Sequence, residues 1–146
     1  MSNQIYAGGY FRTDEALASG TVKPGMLLER TSDNAVKAHA SEGGFAERMV
    51  AIEDALQGKT TADSYATTTR VLFNIMTPGS DAYVYVKAGE DIDIGDKLIS
   101  SGSGSLIENG SEDSSTVVKQ IIAYALEAKD LSGLGAVDTL TLVRFL

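Results

Sequence analysis

The sequence contains no cysteine and no tryptophan, only two prolines and a single histidine. Without cysteine the chain has no disulfide, no thiolate zinc site and no thiol nucleophile, which fits a reducing compartment. A Ser-His-Asp triad would have to use His39, which stands beside no Gly-x-Ser-x-Gly elbow. With no second histidine or cysteine nearby, His39 reads as a surface or cross-strand residue rather than a ligand or a base. Basic charge is scarce too: 12 Lys and Arg face 20 Asp and Glu, a formal net charge of −8. That balance argues against nucleic acid, whose phosphates need a basic face, and against an anionic membrane surface. No run is long and apolar enough to span a bilayer. The first residues lack the basic flank and apolar centre of a signal peptide, so a soluble protein that stays where it is made is expected.

Other chemical templates also lack parts. Gly58-Lys59-Thr60 ends like a phosphate-binding loop, but the upstream glycine is missing. In residues 90–96, Asp91 and Asp93 share one strand face, yet the spacing is not that of a calcium loop. They read as solvated charges that discourage edge pairing. No catalytic residue, metal ligand or cofactor is assigned, and no enzyme activity is expected.

What is present is glycine, 15 residues of it, and many short alternating runs. The organising stretch is residues 81–106. Tyr83, Val84, Tyr85 and Val86 alternate as a strand. Gly89-Glu90 and Gly95-Asp96 then make two corners, where glycine permits positive φ and a neighbouring carboxylate can accept a turn N–H. Lys23-Pro24-Gly25 and Thr77-Pro78-Gly79-Ser80 are further turns. Strands are expected at 26–30, 35–40, 49–53, 71–75, 117–128 and 137–146, with an acidic loop at 109–115. The run 117–128 has no polar face, so it is either central or covered by a partner. About eight to ten short strands with almost no helix indicate an all-β sandwich or small β-barrel. At 146 residues this is one domain with a core of its own.

Residues 1–22 differ in character and are read either as a frayed terminus or first strand on the sheet, or as an extended N-terminal arm that lies on another molecule, preceding a barrel domain at 23–146. Tyr6, Tyr10 and Phe11 flank the flexible pair Gly8-Gly9, and such aromatics make low-entropy contact anchors. Thr13 is placed to cap a short helix through Leu17. Residues 57–70 are polar and rich in threonine around Tyr65, and are read as an extended loop ordered against a neighbour.

Two families resemble parts of this pattern. Val86-Lys87-Ala88-Gly89-Glu90-Asp91-Ile92 and Gly95-Asp96-Lys97-Leu98 are similar to biotinyl and lipoyl carrier domains, but Gly102-Ser103-Gly104 stands where those domains carry a modified lysine. Over residues 50–145 the chain resembles tailed-bacteriophage capsid decoration, or cement, proteins. The matching pieces run in order: Val50-Ala51-Ile52-Glu53, Leu56-Gln57-Gly58-Lys59, Tyr65 with Arg70-Val71, Pro78-Gly79-Ser80-Asp81, Ala88-Gly89-Glu90, Gly95-Asp96-Lys97-Leu98-Ile99-Ser100 and Gly102-Ser103-Gly104-Ser105-Leu106. Ala123-Tyr124-Ala125-Leu126-Glu127-Ala128 and the closing run to Phe145 complete the set. This resemblance implies a barrel or β-tulip-like body on the exterior of a phage head, made in the host bacterial cytoplasm. It further implies a dimer or trimer that clamps neighbouring copies of the major capsid protein. The first 22 residues match the family least well, so the capsid contacts are expected from residue character, at Tyr6, Tyr10, Phe11, Tyr65, Thr67 and Thr68. Self-association is expected through Val118, Ile122 and Tyr124 of 117–128, and through an outward face of the last strand carrying Thr139, Thr141, Val143 and Phe145. The competing reading is a host-facing β-module on the virion that binds a carbohydrate or a receptor.

Overall fold

The computed structural model describes residues 4–110 and 118–146. Thirteen short strands carry them: β1 Tyr6–Gly8, β2 Phe11–Leu17, β3 Leu27–Arg30, β4 Val36–Ala38, β5 Met49–Ala51, β6 Arg70–Met76 and β7 Asp81–Val86, followed by β8 Asp91–Ile92, β9 Lys97–Ser100, β10 Leu106–Glu108, β11 Ala123–Ala125, β12 Lys129–Asp130 and β13 Thr139–Phe145. One 3-10 turn, Ala55–Gln57, interrupts them. The all-β class follows the alternation in the sequence.

Five strands close on themselves in the order β7, β10, β9, β11 and β13, with β13 pairing back onto β7. Closure leaves this ring without an open edge. In β7, Ala82, Val84 and Val86 are buried while Tyr83 and Tyr85 are half-buried on the other face. β13 runs antiparallel to β7 from Thr139↔Val86 to Arg144↔Asp81. Directly opposed residues share a face, so Thr141 and Val143, opposite Val84 and Ala82, point inward, as does Phe145, and all three are buried. The outward face of β13 is therefore Leu140, Leu142 and Arg144, a correction of the phase read from the sequence. Val143 and Phe145 belong to the barrel core with Leu98, Leu106, Ile122 and Ala123.

Both glycine corners form as expected. Gly89 and Gly95 have φ of 101° and 93°; Asp96 accepts the turn N–H of Asp93 at 2.8 Å, whereas Glu90 accepts not a turn amide but the Glu108 N–H of β10 at 2.9 Å.

The second sheet has the order β2-β6-β5-β3-β4. Leu27, Val50 and Met76 from one of its faces join the barrel core. Leu28, Met49, Ala51 and Phe73, from the other face, build a second core with Val22, Val36 and Tyr65.

Three local expectations change. Residues 11–17, expected partly as a helix capped by Thr13, form β2 and pair with β6 from Phe11↔Met76 to Leu17↔Arg70. A helix of so few residues is marginal by itself, whereas β6 supplies a partner for every residue. The 57–70 segment is ordered by its own chain. Tyr65 pairs with Val22 through N–H···O distances of 3.1 and 2.7 Å, is 0% exposed, and donates its hydroxyl to the Ile52 carbonyl at 2.7 Å. Of the strand expected at 117–128, only β11 is regular; Val117 and most of the acidic loop at 109–115 lie outside the described residues.

Burial, followed by the nearby Asp54 carboxylate, pushes the Tyr65 phenol up from 10.0 to about 12. Its contribution to stability is complete below pH 10 and is lost as pH rises through 12. Melting temperature should therefore fall more steeply between those values in the native chain than in Tyr65→Phe. Parallel slopes would contradict a buried neutral phenol.

Candidate functional site at the N-terminal aromatic edge

The turn at residues 77–80 positions this site. Gly79 takes a φ of 87°, and the turn is tied to the last strand: Gly79 donates to the Phe145 carbonyl at 2.8 Å and Phe145 donates to the Ser80 carbonyl at 2.9 Å. Ser80 is 1% exposed. Its hydroxyl accepts the Tyr10 N–H at 2.9 Å and donates to the Tyr10 carbonyl at 2.7 Å. The Thr77 hydroxyl donates to the same carbonyl at 2.8 Å. Gly9 makes the close approach feasible. Its φ is +95°, and a Cβ there would lie 2.5 Å from the Ser80 Oγ and 2.6 Å from the Ser80 Cα.

On this clamped backbone the Tyr10 side chain is 83% exposed and Phe11 is 40% exposed. Tyr6 packs on Phe11 with ring centroids 4.5 Å apart, and its hydroxyl donates to the Gly9 carbonyl at 3.0 Å. Anchors whose backbone is ordered in advance lose little entropy on binding. Leu17, on the same face of β2 as Phe11, is also exposed. β2 is an edge strand, and charges restrain its open side. Glu15 pairs with Arg70. The Glu15 amide, followed by the Arg30 guanidinium, holds the Asp14 carboxyl below its usual range. The arrangement offers exposed aromatic contact area.

The structure brings Tyr6, Tyr10 and Phe11 together, but it separates them from the other expected contacts. Thr67 and Thr68 are exposed near Ala18, whose carbonyl accepts the Thr68 N–H at 2.8 Å. From Tyr10 that is about 25 Å along an extended strand. Tyr65 lies in the second core and reaches no surface. Among the residues expected in self-association, Ile122, Val143 and Phe145 are barrel core. Tyr124 is half-buried on the barrel exterior opposite Arg144, and Val118 is 83% exposed.

One buried pair was not legible in the sequence. His39 is 1% exposed, not at the surface. Its Nδ1 lies 2.7 Å from the Ser100 hydroxyl and its Nε2 2.8 Å from the Phe45 carbonyl. A carbonyl only accepts, so Nε2 carries the proton and Ser100 donates to Nδ1. Glu29 Oε2 sits 3.9 Å from Nε2. These are the ingredients of a hydrolytic triad, but Ser100 is 0% exposed and no substrate carbonyl can reach it in this arrangement. The pair ties the segment after β4 to barrel strand β9. No local motif announces a partner 61 residues away.

Comparison with protein-family models and with curated proteins found no match. Among solved structures, the fold is similar to the head fiber gp8.5 N base of bacteriophage phi29, with a TM-score of 0.58 and 16% identity. The similarity covers 94% of this chain and 95% of that one. At this identity it is a likeness of fold.

Ser80→Ala removes the partner of the Tyr10 amide and should destabilise the protein by about 1–3 kcal/mol, measured by urea unfolding. An unchanged midpoint would show that the hydroxyl does not hold the edge.

Proposed function

We propose that this chain is a bacteriophage virion structural protein, and specifically a decoration protein seated on the outside of the head, where it stabilises the capsid lattice. The observation that carries this reading is the end-to-end likeness of its fold to a head-fiber base, which extends over nearly all of both chains. The ordered sequence resemblance to decoration proteins points the same way. A ligand that binds the assembled lattice and not its free subunits shifts the balance toward the assembled state by mass action. Repeated sites on the head make modest contacts sufficient if the protein is a dimer or trimer, because avidity multiplies them. Tyr10 and Phe11 supply the contact with the major capsid protein. The net charge of −8 suits a surface turned away from packaged nucleic acid. The role requires no cofactor, no membrane and no bond-making step.

Purified protein mixed with expanded heads lacking it should bind saturably, at a fixed copy number per head, and raise the rupture temperature. Tyr10→Ala should weaken that binding by roughly tenfold or more without lowering the melting temperature of the free protein. Absence of binding to heads refutes the decoration role. Wild-type affinity in Tyr10→Ala refutes the assignment of the contact alone.

A further inference from the structure

The outer wall of the barrel carries a second surface, lined by none of Tyr6, Tyr10 and Phe11. It is a groove of about 970 Å³ between the exterior of β7 and β13 and the turn at residues 23–26. Its floor is Tyr83, Tyr85 and Leu140, the last two being register partners. The turn is fastened to this floor by the Tyr85 N–H, which donates to the Gly25 carbonyl at 3.0 Å. Gly25 has a φ of +96°, and a Cβ there would lie 2.4 Å from the Leu140 Cδ2, so turn and floor meet without slack.

We infer that this groove binds a neutral oligosaccharide. Tyr83 and Tyr85 stand two residues apart on one strand face, a repeat of about 6.8 Å that sets two aromatic surfaces in a row. Neither phenol has a hydrogen-bond partner among the described residues. Sugar rings present apolar C–H faces to such surfaces and a belt of hydroxyls that need both donors and acceptors. The rim provides both. Lys23 and Lys129 donate, and Lys23 Nζ lies 5.7 Å from the centre of the Tyr85 ring. Glu127 spends Oε1 on the Leu142 amide and the Lys129 ammonium, leaving Oε2. Asp138 spends Oδ1 on the Ala88 amide, leaving Oδ2. Two cations and two carboxylates balance, so the groove is locally neutral within an acidic chain. That combination favours a polar, uncharged ligand over a polyanion, which the net charge repels. A second copy of this chain is disfavoured because a concave strip does not complement itself across a two-fold axis.

The inference does not rest on the decoration role, since heads take no part in its test. Cellohexaose, maltohexaose and chitohexaose are titrated into the full chain, with polygalacturonate as the charged comparison. Binding is followed by amide shifts in β7 and β13 and by tyrosine emission, which no tryptophan obscures. At least one neutral hexasaccharide should saturate. Its affinity should fall roughly tenfold or more in Tyr85→Ala, fall also in the rim variant Asp138→Asn, and stay unchanged in Tyr10→Ala. The inference is overturned if none saturates by about 10 mM, if both groove variants bind as wild type, or if polygalacturonate is preferred. It is overturned equally if sedimentation shows an oligomer that Tyr85→Ala dissociates, because the groove would then hold a second copy.

Discussion

The pairing of β7 with β13 is the constraint on which the remaining structure depends. Six consecutive register pairs, from Thr139↔Val86 to Arg144↔Asp81, close the five-stranded ring. The seam's inward side supplies Ala82, Val84, Val86, Val143 and Phe145 to the core. Each large apolar side chain so buried stabilises the fold by about 1.5–3 kcal/mol. At the seam's end Arg144 grips Asp81 with two bonds of 2.8 and 2.9 Å. That pair is exposed and fixes register more than it adds stability.

Both candidate surfaces hang from this seam. Ser80, immediately before β7, accepts the Phe145 N–H at the end of β13 while Gly79 donates to the Phe145 carbonyl, and the Ser80 side chain clamps Tyr10. The seam's outward side is the row Tyr83, Tyr85, Leu140 and Leu142, against which the Gly25 turn closes the groove. Inward packing thus determines where the outward aromatics stand. A protein that acts by contact needs such preorganisation, since ordering side chains at the moment of binding would consume much of the affinity.

Much of the barrel was legible in the sequence because its signals are local. The alternation of β7, the two Gly-acidic corners and the turn at residues 77–80 depend on period-two patterning and on glycine's access to positive φ. What was not legible depends on partners distant in the chain. In Thr139–Phe145 apolar and polar residues stand on both alternating sets, so composition cannot say which set faces inward; register with β7 decides. Tyr65 looked like a surface anchor in a threonine-rich loop, yet Val22 and Ile52 draw it into the second core. Thr13 resembled a helix cap until β6 offered its residues a strand partner. The exposed tyrosine at position 10 was legible as a contact candidate, but the Ser80 clamp that presents it was not. The groove was invisible for the same reason: it joins residues 23–26, 83–85 and 127–140, which only the folded barrel assembles.

Native-state hydrogen exchange tests the central role of the seam most directly. The amides of Val84 and Thr141 should exchange only through global unfolding, with a free energy equal to that from denaturant titration and above that of amides in edge strand β2. Exchange at Val84 and Thr141 that is faster than at Asp14 or Ala16, whose amides face β6, would contradict the account, because the seam would then open while the outer sheet remained intact.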